Sequence, residues 1–573
     1  MLKSLLRSVA ARLHRDDPSP DPSVAQAVAA LDAGDLQRAS ILAEAAVKRD
    51  PDLHEAWNLL GAIALREGED DKGMRCFDRA AALAEGSTDR SADYLANAGE
   101  ACRRAGRYER AVERLQAALG LDAGHAGALY SLAMSFGQQW RSDEAFDAYG
   151  RMLAAKPDFC TGHQGYLFFL NLYRAQDPEF VLAEHLRWAS LHADAVSPVE
   201  ARPPPGPKHR ITVGYVSADF NRHAVGYFVE PILRQHDRGR FRIVLYSNAS
   251  REDASTARFV ALADEWRDIA PLSDAEAAAL MRSDGVDVLV DLSGHTAGNR
   301  LLAFARRPAP VQMTYLGYPS GTGMAAMDYR ITDPVADVRV QAQRRYRERL
   351  LYLPDSLWCY SPPESVSGAG EAGETAASRR FTFGSLNHVL KITPRLVALW
   401  ARILRALPEA RLLMAAIPAG EAQSRIAAEF SRHGVDPTRV QMLGRLEQSS
   451  FWAIHGEIDI ALDSFPCQGG TTTCETLWLG VPVVTLIGDA FVSRVGLSLL
   501  SALGLQELAA RSEDDFVALA VGLARDPGRL AALRGSLRER MRRSALMDEA
   551  RFAGKLEALY LDAWQARPDA RGA

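Results

Sequence analysis

In the segment DSFPCQGGTTTCETLWLGVPVVTL, residues 463–486, an apolar run ends, Gly469 and Gly470 permit a tight turn, and Thr471, Thr472 and Thr473 lead into a second apolar run. A strand, a glycine turn and a helix start gather unbonded backbone N–H groups at the positive end of a helix dipole, which suits a phosphate. The same letters also spell a capping box, with Thr472 as N-cap and Glu475 three positions on. Both readings stand on the pattern alone. The position after a strand, and more hydroxyls than a cap needs, favour the phosphate.

Three further loops carry candidate chemistry. In FGSLNHVLKITP, residues 383–394, Asn387, His388 and Lys391 follow a strand-like run. A lysine there reaches a diphosphate as a point charge, although a single lysine also fits a solvated helix surface. YVSADFNRHAVGYF, residues 215–228, holds Asp219 and His223, and DLSGHTAGNR, residues 291–300, holds His295. One loop histidine is ordinarily a turn or cap residue. Two at strand ends beside one cleft suit acid–base or substrate-positioning work.

These loops need sheets to hold them. ITVGYVS, FRIVLYSN, VDVLVDLSG and VQMTYLGY, then FTFGSLN, RLLMAAIP, RVQMLG, IDIALDSFP and VPVVTLIG, are short apolar runs separated by helical patterns. Near-continuous apolar strands of this kind predict parallel sheets covered on both faces. Two α/β halves are expected, at 208–360 and 380–565, joined by a low-complexity loop at 361–379. Such halves place a ligand cleft at the carboxyl ends of their strands.

The preceding third has a different texture. Gly34, Gly68 and Gly106 each end a helix-like segment, and Ala39, Gly73, Ala111 and Ala145 recur at spacings of 34, 38 and 34. That period, with Trp57, Leu60, Gly61, Phe77 and Ala80 in the best copy, is the tetratricopeptide pattern. An α-solenoid over 23–200 is expected, following a basic amphipathic segment at 1–22 and ending in the proline-rich linker EARPPPGPKHR. Arg7, Arg12 and Arg15 interrupt the first segment before a signal-peptide core can form, so it reads as a surface or capping helix.

Composition narrows the class. A formal charge of −5 without a basic tract argues against nucleic acid and anionic lipid as partners. No run approaches the roughly 18 apolar residues of a membrane span. The six cysteines form no C-x-x-C, so a reducing cytoplasm is expected, without a disulfide framework or zinc site. No Asp-x-Asp stands in the α/β region, and no metal is expected there.

GYVSADFNRHAVGYF, DLSGHTAGNRL, RPAPVQMTYLGYPSGTGMAAMDYRITDP, FGSLNHVLKITP, LDSFPCQGGTTTCETLWLGVPVVTL and SRVGLSLL together resemble bacterial members of the protein O-GlcNAc transferase and Spindly family. The resemblance runs from about residue 25 to about residue 565 with its motifs in register. It implies a tetratricopeptide array fused to a GT-B fold of two Rossmann-like domains, the first on the acceptor side and the second on the nucleotide-sugar side. It further implies that His223 lies beside sugar and acceptor, with Asp219 and His295 on that side, and that Lys391 neutralises the donor diphosphate. By the same resemblance Thr471, Thr472 and Thr473 contact phosphate, Gly469 and Gly470 belong to that turn, Glu475 binds ribose, and Asn387 and His388 face the donor. Phe451 falls where some members stack a histidine on the base, and backbone near Arg445 and Leu446 is expected to read it. Animal-type members carry histidine where this chain has Gly470, and tyrosine where it has His295. Those positions look more like the Spindly-type branch, whose plant relatives transfer fucose.

The expected activity is inverting, metal-independent transfer of a sugar, with N-acetylglucosamine from UDP-GlcNAc first, to Ser or Thr hydroxyls of a protein held in the repeat groove. Alternatives are O-fucosyl transfer from GDP-fucose, transfer from another nucleotide sugar or to a non-protein acceptor, and a non-catalytic scaffold with a decayed GT-B module. No cofactor beyond the nucleotide sugar is expected.

Overall fold

The computed structural model describes residues 21–84, 88–175, 177–199, 210–363, 366 and 380–567. The expected N-terminal helix, most of the proline-rich linker and most of the 361–379 loop lie outside these residues. The chain divides into two compact units: Met1–Tyr166 with Gly420–Ala422, and Leu167–Ala419 with Gln423–Ala573.

The first unit is built from antiparallel helix pairs, such as His54–Glu67 with Asp70–Leu83 and Ala126–Gln138 with Ser142–Ala155. Gly34, Gly68 and Gly106 follow the first helices of their pairs with φ of +81°, +83° and +73°, where a Cβ would be penalised. Small residues then let the partners touch. A Cβ on Gly61 would meet the Phe77 ring at 2.7 Å, and one on Gly73 would stand 3.2 Å from the Gly61 carbonyl oxygen. Ala39, Ala111 and Ala145 are fully buried at the equivalent places, so the period records helix contact. Interior side chains such as Phe77 each contribute about 1.5–3 kcal/mol of burial to the stack.

In the second unit, β1 (Ile211–Ser217), β2 (Phe241–Ser247), β3 (Glu265–Asp268), β4 (Val288–Asp291), β5 (Val311–Thr314), β6 (Tyr329–Thr332) and β7 (Arg349–Tyr352) form one sheet, ordered β3-β2-β1-β4-β5-β6-β7. A second sheet has β8 (Thr382–Ser385), β9 (Arg411–Met414), β10 (Val440–Met442), β11 (Ile460–Leu462), β12 (Val483–Leu486) and β13 (Ala509–Ala510), ordered β10-β9-β8-β11-β12-β13. Their pairings are parallel. Sequence reading missed β3, β6, β7 and β13. EWRD in β3 is polar at a sheet edge, and β13 is two residues long. In β6 the buried Arg330 masks the apolar pattern: its guanidinium lies over the Tyr346 and Phe491 rings and donates to the Ser320 carbonyl at 2.8 Å.

Two expected boundaries move. The array was expected to reach residue 200, but the unit boundary falls inside the helix Cys160–Tyr173, and Pro178–His192 belongs with the sheets. There Trp188 is fully buried, and Asn171 Nδ2 and His185 Nε2 both lie 2.8 Å from the Tyr318 hydroxyl. An apolar helical stripe reads the same whether a repeat or a sheet covers it. The last helix, Glu549–Gln565, was grouped with the second half but packs on the first: Tyr560 Oη is 2.9 Å from Tyr215 Oη, and Glu557 accepts from His236 Nδ1 at 2.9 Å and from the Asp237 N–H at 2.8 Å.

Both sheets reverse direction of strand order beside their first strand, between β1 and β4 and between β8 and β11. Loops leaving such neighbouring strands diverge to opposite sides and open a crevice at the carboxyl ends. Most of the sequence candidates sit in those four loops or at the start of the helix that follows β11; Leu446 and Phe451 instead follow β10. Among the described residues no helix is long and apolar enough to cross a membrane.

Candidate active site

In the second sheet the β8 loop meets the β11 loop. Lys391, half-buried, donates from Nζ to the Gln468 carbonyl at 2.8 Å, and Asn387 Nδ2 reaches Asp463 Oδ1 at 3.3 Å. A Cβ on Gly469 would stand 2.7 Å from Thr473 Oγ1 and 3.0 Å from Asn387 Oδ1, so this glycine is required by close approach. Gly470 is not: its φ is −103°, and an added Cβ would only touch Trp358 at 3.9 Å. The position leaves room beside the helix that follows.

That helix, Thr471–Trp478, begins with Gly470 as N-cap and no side-chain cap. The capping box is therefore absent. Its first-turn N–H groups lack a side-chain acceptor, the condition under which a helix start binds an anion. Thr471 and Thr472 are partly exposed there, whereas Thr473 is buried and its hydroxyl donates to the Gly469 carbonyl at 3.0 Å. Only its backbone can serve a ligand at the helix start, which corrects the expected threonine trio.

Glu475 points inward. Its carboxyl is buried, with a long 3.5 Å contact from Trp452 Nε1, and burial pushes its pKa up to about 7. His388 Nδ1 accepts from the Leu390 N–H at 3.2 Å; surrounding protein, then the Lys391 and Arg445 charges, push its pKa down to about 4, although solvent reaches the side chain. A neutral ring is expected beside the lysine. The Phe451 ring is T-shaped against His455 at 5.2 Å, and Leu446 is half-buried in the segment between β10 and Phe451. His455 was not singled out from sequence. Its ring contacts the Phe451 carbonyl at 2.9 Å and Thr476 Oγ1 at 3.2 Å, and burial pushes its pKa down to about 4.

In the first half, His223 is about half exposed, with Nδ1 3.3 Å from the Val225 N–H and 3.5 Å from Asp219 Oδ2. Burial raises the Asp219 pKa, and the nearby histidine opposes that shift. Four residues on, the half-buried Tyr227 accepts from Gln448 Nε2 at 2.8 Å, joining the two halves at the β1 loop and the Phe451 segment. His295 is elsewhere. It is 2% exposed, donates from Nε2 to the Thr322 carbonyl at 2.9 Å, and is enclosed by Trp188, Tyr318 and His185 at ring distances of 4.4, 5.2 and 5.3 Å. It supports the first sheet under Pro178–His192 and does not face the crevice, a correction to its expected place. Nothing in DLSGHTAGNR signals this, because Trp188 and Tyr318 are distant in sequence.

Sequence reasoning also passed over Asp463 and Gln468. Asp463 ends the β11 segment fully buried, accepting from the Ser464 N–H at 2.8 Å, the Gly469 N–H at 2.9 Å and Thr485 Oγ1 at 2.9 Å. Burial pushes its pKa up to about 6 against these bonds. Gln468 is pinned by Nε2 on the Leu486 carbonyl at 2.6 Å and by the Gly496 N–H on Oε1 at 2.7 Å. An aspartate directly after an apolar strand was the available signal. Among the described residues no group of three or more His, Cys, Asp or Glu is placed to hold a metal.

The second half thus gathers, around its β8 and β11 loops, a lysine and an uncapped helix start, with the buried Glu475 carboxyl and the Phe451 ring on adjoining segments, a set whose chemistry suits a nucleoside diphosphate. Comparison with known proteins agrees with that chemistry. Residues 191–361 and 376–556 match Glycosyl transferase family 41, and residues 52–123 and 96–158 match tetratricopeptide repeats. A protein of Petunia hybrida named as probable UDP-N-acetylglucosamine–peptide N-acetylglucosaminyltransferase SPINDLY is 41% identical over 367 residues, 63% of this chain and 39% of that one. The Arabidopsis thaliana protein of the same name is 39% identical over 423 residues, 71% of this chain and 45% of its own length. The chain spans less than half the length of these plant relatives. A mutant of the Thermobaculum terrenum O-GlcNAc transferase has a similar structure, with a TM-score of 0.79 and 34% identity over 100% of this chain and 99% of that one.

Proposed function

The chain belongs to glycosyltransferase family 41, and from that premise we propose that it transfers a sugar from a nucleotide sugar, UDP-GlcNAc first, to Ser or Thr hydroxyls of a protein, with inversion and without a metal, in a reducing cytoplasm. The observation that carries this reading is Lys391 standing on the turn that starts the uncapped helix Thr471–Trp478. The acceptor oxygen attacks the anomeric carbon while the bond from that carbon to the diphosphate breaks. The bonding pair leaves on phosphate oxygen, where Lys391 and the N–H groups of Thr471, Thr472 and Thr473 meet it. Electrostatic stabilisers of this kind are worth about 3 kcal/mol each. His223 takes the hydroxyl proton, and Asp219, 3.5 Å from its Nδ1, balances the charged ring. Asn387 and His388 line the donor loop, Glu475 accepts from ribose, and Phe451 stacks on the base, with backbone at Leu446 as its polar neighbour. The repeat array holds the acceptor protein.

Full-length protein incubated with cell-lysate protein, EDTA and a panel of UDP- and GDP-sugars tests the whole reading by intact mass. Mass gain from UDP-GlcNAc in chelator is the expected result; no gain from any donor rejects transfer, and gain only after manganese or magnesium is restored rejects the metal-free route. A second donor reading, GDP-fucose, rests on Gly470 and His295, where the sequence resembles the Spindly-type branch; the plant relatives named above are themselves named for UDP-N-acetylglucosamine. Phe451 does not decide the base, because an aromatic ring stacks on any base. Calorimetry with UDP and GDP is expected to show tighter UDP binding, and tighter GDP binding would move the protein to the fucosyl reading.

Glu475 makes donor affinity pH-dependent. With a free-state pKa of about 7, its carboxyl is protonated at lower pH, which turns one of its two acceptor oxygens into a donor and weakens its hold on the ribose hydroxyls. Affinity for a nucleotide sugar, whose doubly esterified diphosphate does not titrate here, is therefore expected to fall as pH drops below about 7, by at most about tenfold per pH unit, and to level off above it. Glu475→Gln should flatten the profile. An unchanged slope in that variant would remove Glu475 from the ribose role.

A further inference from the structure

One peptide group in the β11 loop is held at both ends. The N–H of Gly469 donates to Asp463 at 2.9 Å, while the carbonyl of Gln468 accepts from Lys391 Nζ at 2.8 Å. These two groups belong to the same planar amide, so their directions are locked to one another. Wherever Asp463 fixes the N–H, it also fixes the carbonyl that Lys391 grips. Asp463 itself has little freedom: it is 3% exposed, Thr485 Oγ1 holds its second oxygen at 2.9 Å, and Ser464 N–H and Asn387 Nδ2 share the first at 2.8 and 3.3 Å. A Cβ on Gly496 would come within 2.9 Å of the same carboxylate, so packing also closes that side.

The first half contains the same device without the lysine. Asp287 precedes β4 and Asp291 ends it, as Asp459 precedes β11 and Asp463 directly follows it, each pair four residues apart. Asp287 accepts from the Thr212 N–H at 2.9 Å and Asp459 from the Thr382 N–H at 2.7 Å, tying each strand to its neighbour. Asp291 accepts from the Gly294 N–H at 2.9 Å and Thr314 Oγ1 at 2.8 Å, as Asp463 does from Gly469 and Thr485. There the preceding Ser293 carbonyl accepts from Thr296 Oγ1 at 2.8 Å instead of a lysine. The aspartate is thus a turn-holding residue in both halves, and in the second half the turn it holds aims a cation.

We propose that Asp463 is a positioning residue for glycosyl transfer, acting through the Gln468–Gly469 peptide to hold Lys391 against the departing diphosphate. The inference rests on the leaving-group role given to Lys391 above. It differs from a general stabilising role in being routed through one side chain, and that difference is measurable.

The test is a double-mutant cycle on the full-length chain, reading UDP released from UDP-GlcNAc, or GDP from GDP-fucose, with lysate protein as acceptor. Asp463→Asn is expected to lower kcat by about tenfold to a hundredfold with donor KM little changed, the scale of a small misplacement of a reacting group. Lys391→Ala is expected to lose more, and the double variant no more than Lys391→Ala alone, because the two act as one unit. Asp291→Asn, which breaks the matching turn in the other half, is the comparator: it should leave nucleotide affinity unchanged and its effect on kcat should add to that of Lys391→Ala. Losses that multiply in the Asp463 cycle, or wild-type kcat in Asp463→Asn while Lys391→Ala is slow, overturn the proposal alone. Wild-type turnover in Lys391→Ala, or no donor cleavage by the parent protein, overturns the reading beneath it. Should Asp463→Asn not fold, Thr485→Val frees one carboxylate oxygen and enters the same cycle, with a smaller first loss and the same non-additivity expected.

Discussion

Lys391→Ala is expected to lower glycosyl transfer by about 10² to 10³ while leaving the protein folded, the loss typical when one preorganised electrostatic group is removed. The fold should survive because Lys391 is half-buried in the short turn Val389–Lys391, outside the sheet, and the hydrogen bond lost with its Nζ is the one to the Gln468 carbonyl. The rate should not survive. In the proposed mechanism a diphosphate that departs with growing negative charge meets the Lys391 ammonium and the start of the helix Thr471–Trp478. The helix contributes partial charges fixed by its geometry, equivalent to about half a unit charge, so most of the point charge comes from the lysine. Single-turnover kinetics with the parent's donor check this: near-wild-type turnover would show that the helix alone carries the leaving group.

The second large effect separates the two units. Removal of residues 1–158, which stops before the helix Cys160–Tyr173, is expected to preserve nucleotide binding and to reduce modification of protein acceptors by about 10²-fold or more, because remote contacts no longer position the hydroxyl. Removal through residue 190 is expected to abolish nucleotide binding as well. That cut takes away Trp188, fully buried, together with Asn171 and His185, both 2.8 Å from the Tyr318 hydroxyl. Loss of one such tryptophan costs about 3–5 kcal/mol, a large part of the roughly 5–15 kcal/mol that holds a domain folded. Calorimetry on both truncations checks the pair of outcomes. Equal binding by both would return Pro178–His192 to the array, and loss of binding by both would make the repeats structurally necessary to the sheets.

Much of this organisation is legible in one dimension, for a physical reason. The glycines at 34, 68 and 106 and the small residues one helix later recur because each repeat solves the same local packing problem. The apolar runs of β1, β2, β4 and β5 read as strands because a parallel sheet buries both faces. The four loops with candidate chemistry were likewise visible, since glycine, threonine, histidine and lysine cluster directly after strand-like runs, although each of them alone has an ordinary structural use. Local pattern thus determined the repeat array, the sheet class, and the placing of Asn387, Lys391, Gly469 and Thr471 shortly after strand ends.

What tertiary structure alone decided is which of those residues face the same space. His295 and His223 carry equal weight in sequence, yet Trp188 from a distant helix buries one and leaves the other about half exposed. Thr472 and Glu475 spell a capping box, yet the helix starts at Thr471 and the glutamate turns to Trp452. Arg330 hides β6 because its charge is offset by two rings contributed from elsewhere in the chain. Asp463 is one aspartate among many until the strand order brings β8 beside β11 and places Lys391 on the peptide it holds. Period and propensity are properties of neighbours along the chain, whereas burial, pKa and the aim of a side chain are set by neighbours in space, and no local pattern encodes those.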